Sequence, residues 1–549
     1  MKKFLLLFLI LSSLNISLKA QCDPPSSLVE LNANNIRATL LNGGDFWWDG
    51  VGTPGYEFPV SNNPIPRNVI FAGAIWLSAL DEDNSLLVAG MTYRGQGHDF
   101  YNGPINSSLE TVSVQECAIF DRHWEIKRED IQAHLDNVSE GLPLEIADID
   151  DKILKWPAKG NAHFTQYNIE EDLAPFVDLN NNGIYDPENG DYPHIKGDQS
   201  IFWVVNDIGG PHDRSGGNPL GVEVQFMAYG YNDTSSNLKN ITFYDVKVVK
   251  KTQGVLKDFY FGLFVDPDIG NFSDNYVGCN RATNTAFAYN TNAQDNILVS
   301  TSFLNKEMSS FVDINNAISG CKIDPSTPLG FRNFQQGLDG CGNTLFFGAD
   351  GISGCGLTSN VTRYMFTGNP FICEEWSEIN QSIGDCSCPN SLGQDKRYIQ
   401  NAGPADLNFL ESYEITFSVT AQFIQSNNNI PNTDEELVPV IEELTNLYND
   451  SLAFGNQYDF EYEPNSIANL DANAIKIYPN PVSDYLTIDF DEATIADVKM
   501  MDMNGRIISE ISLNDNQTSH SINLSQISKG VYFLSIEIEG QILNYKLVK

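Results

Sequence analysis

Apolar residues in much of this chain recur at every second position, the period of a strand with one buried face. Val222, Val224 and Phe226 alternate with Glu223 and Gln225, and Phe259, Phe261, Leu263 and Val265 alternate with Tyr260, Gly262 and Phe264. Further strands are predicted over Asn35 to Leu41, Val69 to Leu77, Leu86 to Tyr93, Ile201 to Val205 and Tyr413 to Gln422. Two stretches follow the helical period instead. Near Arg128 to Val138, Ile131 and Leu135 stand four apart; near Thr433 to Tyr448, Leu437, Val440, Ile441, Leu444 and Leu447 form an apolar stripe. In the second helix Thr433 and Glu436 have capping-box spacing, and Pro439 either kinks the helix or marks its first turn. The expected fold is mainly β: a sandwich-like body with a few helices and a disulfide-rich insertion, plus a small sandwich at the end.

That end is the most specific part of the sequence. Tyr485 to Phe490 and Tyr532 to Ile538 alternate apolar and polar residues, and Asn504-Gly505, Lys529-Gly530 and Glu539-Gly540 supply turns. Pro479 and Pro481 lack N–H donors and suit the start of an edge strand. An ordinary immunoglobulin-like module would account for the strands but not for the order of motifs. That order is Tyr478-Pro479-Asn480-Pro481, then Asp502, Gly505 and Arg506, then Gly530 and Tyr532, then Lys546-Leu547-Val548. It resembles the type A C-terminal sorting domain of the type IX (Por) secretion system of Bacteroidetes. The resemblance implies that the domain engages the secretion machinery as an export and anchoring signal, and that the rest reaches the cell surface or the medium.

The other terminus agrees. Lys2-Lys3 precede an apolar run from Phe4 to Leu11, and Ala20 is a small residue at a cleavage position, so residues 1–20 read as a secretory signal peptide. Gln21 before Cys22 argues against a lipid anchor, and no apolar stretch reaches membrane-spanning length. Between the ends, 21–157 reads as a β-rich region and 158–320 as a sandwich-like region. A Cys-rich insertion (321–390), a closing strand and helix (391–464) and a polar linker (465–474) lead into the sorting domain at 475–549. Segments such as Asn42 to Gly50, Phe71 to Trp76, Gly217 to Val224 and Asp266 to Asn271 resemble stretches of uncharacterised surface proteins of the same bacteria, which imply no activity.

Composition narrows the partners. The 549-residue chain is 42% hydrophobic and 11% aromatic, as a folded strand-rich protein is. Its net charge is −40; loss of residues 1–20 removes three lysines and no acid, leaving 29 bases against 72 acids, or −43. Such a surface repels nucleic acid and anionic lipid and favours divalent cations and neutral or basic partners. Nine cysteines in an exported chain read as disulfides, six of them between Cys321 and Cys388, with an odd thiol left over. A metal or redox role for Cys386-Ser387-Cys388 lacks neighbouring histidines.

One loop has the oxygen spacing of an EF-hand or dockerin-like calcium site. Asp178, Asn180, Asn182 and Asp186 take positions 1, 3, 5 and 9, Ile184 offers its carbonyl, and Gly183 makes the sharp turn. Asn189 replaces the usual twelfth-position acid, so Glu188 or Asp191 must fill in. Pro187 and Pro193 exclude a helix pair, which makes any Ca2+ structural; the alternative is a tight Asx/Gly turn without metal. A second acidic loop, with Asp266, Asp268 and Asp274, follows a strand. It is either another cation site, a carboxylate pair for glycoside hydrolysis, or a solvated turn. Trp47-Trp48 is either a sugar platform or core and turn. Among catalytic motifs, H-E-x-x-H, G-x-S-x-G and phosphate-binding glycine loops are absent, and His194 and His212 lack metal-ligand spacing. Two functions follow: a non-catalytic, calcium-stabilised binding or adhesion protein for a glycan or cell-surface ligand, or a secreted hydrolase of polysaccharide or protein. The hydrolase requires acids such as Asp266 and Asp268 to converge with aromatics in a cleft, with raised pKa values.

Overall fold

Strand Leu256–Asp266 pairs antiparallel with Ala72–Leu80 on one side and Lys396–Leu407 on the other, so segments far apart in sequence share one sheet. The structure is a computed structural model. It describes residues 21–549 apart from 60–66, 234–235, 293, 295, 316–319, 450–474, 483, 491–495, 502–506, 514–517, 526 and 539–540. The expected signal peptide, the linker 465–474, the turns at Asn504-Gly505 and Glu539-Gly540, and Asp502, Gly505 and Arg506 lie outside the described residues. The chain divides into two compact units, one ending at Tyr462 and the other running from Glu463 to Lys549.

In the first unit a ten-stranded sheet, mostly of strands before Gly90, faces a nine-stranded sheet. The nine-stranded sheet contains Gln199–Asn206, Val222–Gly230, Ile241–Lys250 and Ser412–Phe423 as successive antiparallel neighbours or near neighbours in the order 199, 222, 241, 412. Ile75, Leu77 and Phe261 of one sheet and Ile201, Trp203 and Val224 of the other belong to one buried cluster. Ring pairs Phe46–Tyr244 at 6.0 Å and Phe261–Phe303 at 6.2 Å bridge the sheets. Trp47 belongs to this core; its Nε1 donates to Tyr244 OH at 2.8 Å. Gly73 makes room for it, since a Cβ there would stand 2.4 Å from the Trp47 ring.

The alternation of Val222 to Phe226 predicts a wet outer face, but the whole strand Val222–Gly230 is buried. Helices Val114–Phe120 and Arg128–Glu140, with the segment around Trp156 to Ile195, lay a second core over Phe202, Val204, Met227 and Tyr229. Polar residues tolerate that burial because they are paired. Glu223 accepts from Ile105 N at 2.9 Å and Gln225 Nε2 at 2.7 Å, with Lys251 Nζ at 3.7 Å.

The Cys-rich insertion is more than loops. Thr327 caps, and Pro328 opens, a helix Pro328–Gln335 that covers the ten-stranded sheet. Phe331 packs edge-on to Trp76 at 4.6 Å, and Gln335 Nε2 donates to Trp76 O at 2.8 Å. Bridges Cys321–Cys341, Cys355–Cys388 and Cys373–Cys386 staple the insertion, and Cys22–Cys117 holds the start of the chain. The odd thiol is Cys279, buried, with its pKa pushed up by that burial.

The closing helix is broken into Thr433–Glu436 and Val438–Asn449, with Pro439 in the first turn of the second piece. The expected Thr433/Glu436 box is absent: Asn432 is the N-cap and has no side-chain cap. Glu436 instead accepts from Gln425 N at 2.8 Å, Ser426 N at 3.1 Å and Asn432 N at 3.2 Å. The preceding loop offers these amides across the helix start, and they outcompete the local cap.

The second unit has a three-stranded sheet (Ile475–Tyr478, Tyr485–Phe490, Ser519–Asn523) and a four-stranded one (Ile507–Leu513, Ala496–Met501, Val531–Ile538, Gln541–Val548). Leu486, Ile488, Val498, Met500, Leu534 and Ile536 share its core.

Candidate functional site

Where strand Leu256–Asp266 ends, its terminal carboxylate meets the start of Lys396–Leu407. Asp266 is buried; Tyr93 OH donates to its Oδ2 at 2.5 Å, and Arg397 Nε lies 3.3 Å from its Oδ1. Arg397 also reaches Asp395, Nη1 to Oδ1 at 2.8 Å, and its Nε donates to Tyr93 OH at 3.0 Å. Pro267 turns the chain so that half-buried Asp268 joins them, and carboxylate oxygens of Asp266, Asp268 and Asp395 lie within 4.8 Å of one another. These groups line a cleft of ≈ 500 Å³ with Trp48, Phe71, Tyr93 and Phe272 as aromatic neighbours. Trp48, Phe71 and Tyr93 pack against one another at 5.9 to 6.1 Å between centroids. Trp48 is anchored from below by Nε1 donating to Asp45 Oδ2 at 2.9 Å. Asp49 Oδ1 accepts from the amides of Val51, Gly52 and Thr53 at 2.7 to 2.8 Å, which shapes one lip.

The electrostatics follow from burial and crowding. Burial raises the Asp266 carboxyl well above the usual carboxylate range, Arg397 opposing and Asp268 adding to it. Burial and then Asp395 push Asp268 up to about 7, again against Arg397. Arg397 is held above its ordinary value, burial being outweighed by Asp266 and Tyr93. The site thus combines a guanidinium, a carboxyl raised to about 7 by burial, and aromatic walls. Of the acidic loop named from sequence, Asp266 and Asp268 converge. Asp274 does not: it accepts from Asn271 Nδ2 at 3.2 Å and from Asn290, bracing its own loop. Sequence reasoning missed Tyr93, Asp395 and Arg397; the alternation of Asp395 and Arg397 at a strand start was the available signal.

The loop at 178–191 is also ordered by its own side chains. Asp178 accepts from Asn182 N at 3.2 Å and Gly183 N at 2.7 Å, and Gly183 has φ +82°. Asn180, Asn182 and Asn189 turn their amides toward Asp186, at 3.1, 2.8 and 2.9 Å. Buried Asp191 accepts from Leu179 N at 2.8 Å and Asp186 N at 3.0 Å, and burial with neighbouring Asp186 pushes its carboxyl up to about 7. Glu188 is drawn away, 3.0 Å from His163 Nε2. Ile184 is exposed at its side chain. A half-turn of the Asn180 or Asn182 amide presents oxygen where NH2 now points, so the donor set suits a hard cation.

In the terminal unit the two ends of the motif series meet. Asn480 Nδ2 donates to Lys546 O at 2.8 Å and Asn480 Oδ1 accepts from Val548 N at 2.9 Å, while Val482 N donates to Val548 O at 2.7 Å. Pro479 and Pro481 hold Asn480 between them, Leu547 is buried, Gly530 and Lys549 exchange backbone bonds at 2.9 Å, and Tyr532 OH donates to Ser528 O at 2.9 Å. Tyr478 OH donates to Asp489 Oδ2 at 2.5 Å. A family profile described as a secretion system C-terminal sorting domain matches residues 476–549. The chain is a type IX secretion cargo protein.

The cargo protein is therefore secreted or displayed at the cell surface, and its terminal domain addresses the type IX machinery. Among the described residues no helix is long and apolar enough to cross a membrane. No curated protein matches the chain. Among solved structures it is similar to a Bacteroides vulgatus protein with an immunoglobulin-like β-sandwich fold, at 18% identity and TM-score 0.14 over 15% of this chain and 92% of that one. It is also similar to a polysaccharide lyase, at 7% identity and TM-score 0.17 over 59% of this chain and 34% of the lyase. The BSP domain of a biofilm-associated protein matches at 8% identity and TM-score 0.13, over 64% of this chain and 60% of that one. The cargo protein thus matches less than two thirds of the length of the latter two.

Proposed function

We propose that the cargo protein is a non-catalytic surface protein that binds a glycan in the acidic, aromatic-walled cleft, with calcium stiffening the loop at 178–191. The observation that carries the reading is the convergence of Trp48, Phe71, Tyr93 and Phe272 with Asp268, Asp395 and Arg397 around ≈ 500 Å³. Sugars present apolar ring faces and rows of hydroxyls. Aromatic side chains take the former, and a guanidinium between carboxylates takes the latter as donor and acceptors. Asp266 and Asp395 are engaged by Arg397, which favours recognition over proton transfer. For calcium, Asp178, Asn180, Asn182, Asp186 and Asp191 supply the side-chain oxygens and Ile184 its carbonyl; the ion would crosslink both ends of the loop and leave chemistry to the cleft.

A specific observation supports the hydrolase as a second reading. Asp268, pushed up to about 7, has a carboxylate partner in Asp395, their oxygens within 4.8 Å, and paired acids with divergent pKa values are what acid–base hydrolysis uses. One experiment separates them. The secreted protein is incubated with a panel of soluble polysaccharides and peptides, scoring binding and reducing-end or amine release. Saturable binding without release, weakened by Asp268→Asn, supports the binding protein. Turnover abolished by Asp268→Asn establishes the hydrolase, and silence on both readouts removes the cleft from the function.

A further inference from the structure

Two lysines and two acids are shut away from water where the Cys-rich insertion joins the ten-stranded sheet. Strand Ser310–Asn315 stands at one end of that sheet and pairs antiparallel with Lys396–Leu407, Asn315 opposite Lys396 and Asp313 opposite Tyr398. Asp313 and Lys396 are therefore diagonal neighbours on one face. Lys396 Nζ lies 3.3 Å from Asp313 Oδ1, 3.1 Å from Asp313 Oδ2 and 2.6 Å from Glu378 Oε1. Glu378 belongs to the insertion and is fixed by its other oxygen, which accepts from Val277 N at 2.6 Å. Lys322 Nζ stands 3.5 Å from Asp313 Oδ2 and also donates to Asp350 O. All four residues are only 1% to 5% exposed. An amine thus faces both oxygens of one carboxyl group, with a proton acceptor at its side and a second cation behind the carboxyl.

We infer that Lys396 and Asp313 condense into an amide, a covalent cross-link between neighbouring strands, with Glu378 as the proton relay. One ammonium proton passes from Lys396 Nζ to Asp313 Oδ1, turning the ion pair into an amine and a carboxylic acid. Nζ then attacks Cγ; the N–C bond forms, and negative charge gathers on Oδ2 beside the Lys322 ammonium. Glu378 takes a second proton from Nζ and returns it to Oδ1, the Cγ–Oδ1 bond breaks, and one water leaves. Nothing is oxidised or reduced. Burial raises the Glu378 carboxyl to about 7, against Lys396, which suits a group that accepts a proton and gives it back. Burial lowers Lys396, but Asp313 and Glu378 outweigh it and hold it above its ordinary value, so the free amine arises by transfer inside the cluster. Replacing two buried charges with one neutral amide removes their desolvation cost. In the product Oδ2 accepts from Lys322 and the amide N–H donates to Glu378, so each polar group keeps a partner. Asp313 and Lys396 are 83 positions apart, and the amide closes the loop carrying the insertion with a link that reductant does not open.

The test is mass spectrometry of the secreted protein, reduced and then digested with a protease. Wild type is expected to weigh one water less than the open chain and to yield a branched peptide joining the segment of Asp313 to that of Lys396. Glu378→Gln, whose amide oxygen still accepts from Val277 N, is expected to leave the two segments unlinked, because losing a general acid–base slows such a step about a hundredfold or more. Asp313→Ala is expected to leave Lys396 free as well. If Glu378→Gln does not fold, the wild-type branched peptide alone decides. Recovery of both segments unlinked from folded wild type overturns the inference. A branch at Lys322 in place of Lys396 overturns it too. Full cross-linking in folded Glu378→Gln overturns the relay.

Discussion

His212 and Asp207 meet twice: the ring Nε2 donates to the Asp207 carbonyl at 2.7 Å, and the Asp207 carboxylate lies 3.9 Å from the same nitrogen. The other ring nitrogen, Nδ1, donates to Val88 O at 2.6 Å, with Asp99 at 3.9 Å. A neutral imidazole has one N–H, so two carbonyl acceptors require the imidazolium. Burial disfavours that charge, but Asp207 and Asp99 outweigh it and raise the His212 pKa. His212 thus braces the segments that carry Val88 and Asp207.

The sign of its pH effect follows. A pKa raised on folding contributes stability that is complete below the unfolded value, about 6.5, and is lost as pH climbs through the folded value. The unfolding free energy of wild type minus that of His212→Gln is expected to shrink as pH rises above the unfolded histidine value of about 6.5 in urea titrations. Taking the difference cancels the raised carboxyls remote from His212; Asp207, whose carboxyl burial raises and His212 lowers, titrates as a pair with the ring and belongs to the measured effect. A difference independent of pH would show that His212 is neutral in the fold.

Calcium is expected to raise the melting temperature, and chelator to reverse the rise. At a hundred times its dissociation constant the ion would add about 2.7 kcal/mol. Asp178→Ala, which also frees the amides of Asn182 and Gly183, is expected to melt lower and to show no calcium response. Absence of a shift in wild type would leave the loop an Asx turn.

Glu378 pins the Cys-rich insertion to the sheet. Lys396 Nζ lies 2.6 Å from Glu378 and 3.1 Å from Asp313, and Lys322 reaches Asp313 at 3.5 Å, all of them buried. Removing one partner strands a buried charge, so Lys396→Met is expected to cost about 3–5 kcal/mol in denaturant titrations. A loss below about 1 kcal/mol would mean that the helix Pro328–Gln335, through Phe331 and Gln335 on Trp76, holds the insertion to the sheet without help from the charges.

A chain lacking residues 475–549 is expected to stay inside the cell envelope while melting at the temperature of the first unit in the full chain. Asn480→Ala is expected to lower export partially, because it removes both bonds between the Pro-Asn-Pro turn and the last strand. Cell fractionation with immunoblotting measures both. Normal release of the truncated chain would remove the export role of the tail.

The sequence by itself determined the β class, the export address and the presence of an odd cysteine. Each depends on local order: a period of two, a series of short motifs, a count. It also pointed to Asp266 and Asp268 as acids after a strand. It did not reveal that Glu223 and Gln225 are buried, because alternation reports one face of a strand and not what covers the other. Nor did it reveal the neighbours of Asp268. Those came from the tertiary structure, where antiparallel pairing of Leu256–Asp266 with Lys396–Leu407 brings Asp395 and Arg397 alongside from more than a hundred residues away. Strand register, set by burial across the whole sandwich, decides which acids share a cleft and how far their charges are compensated.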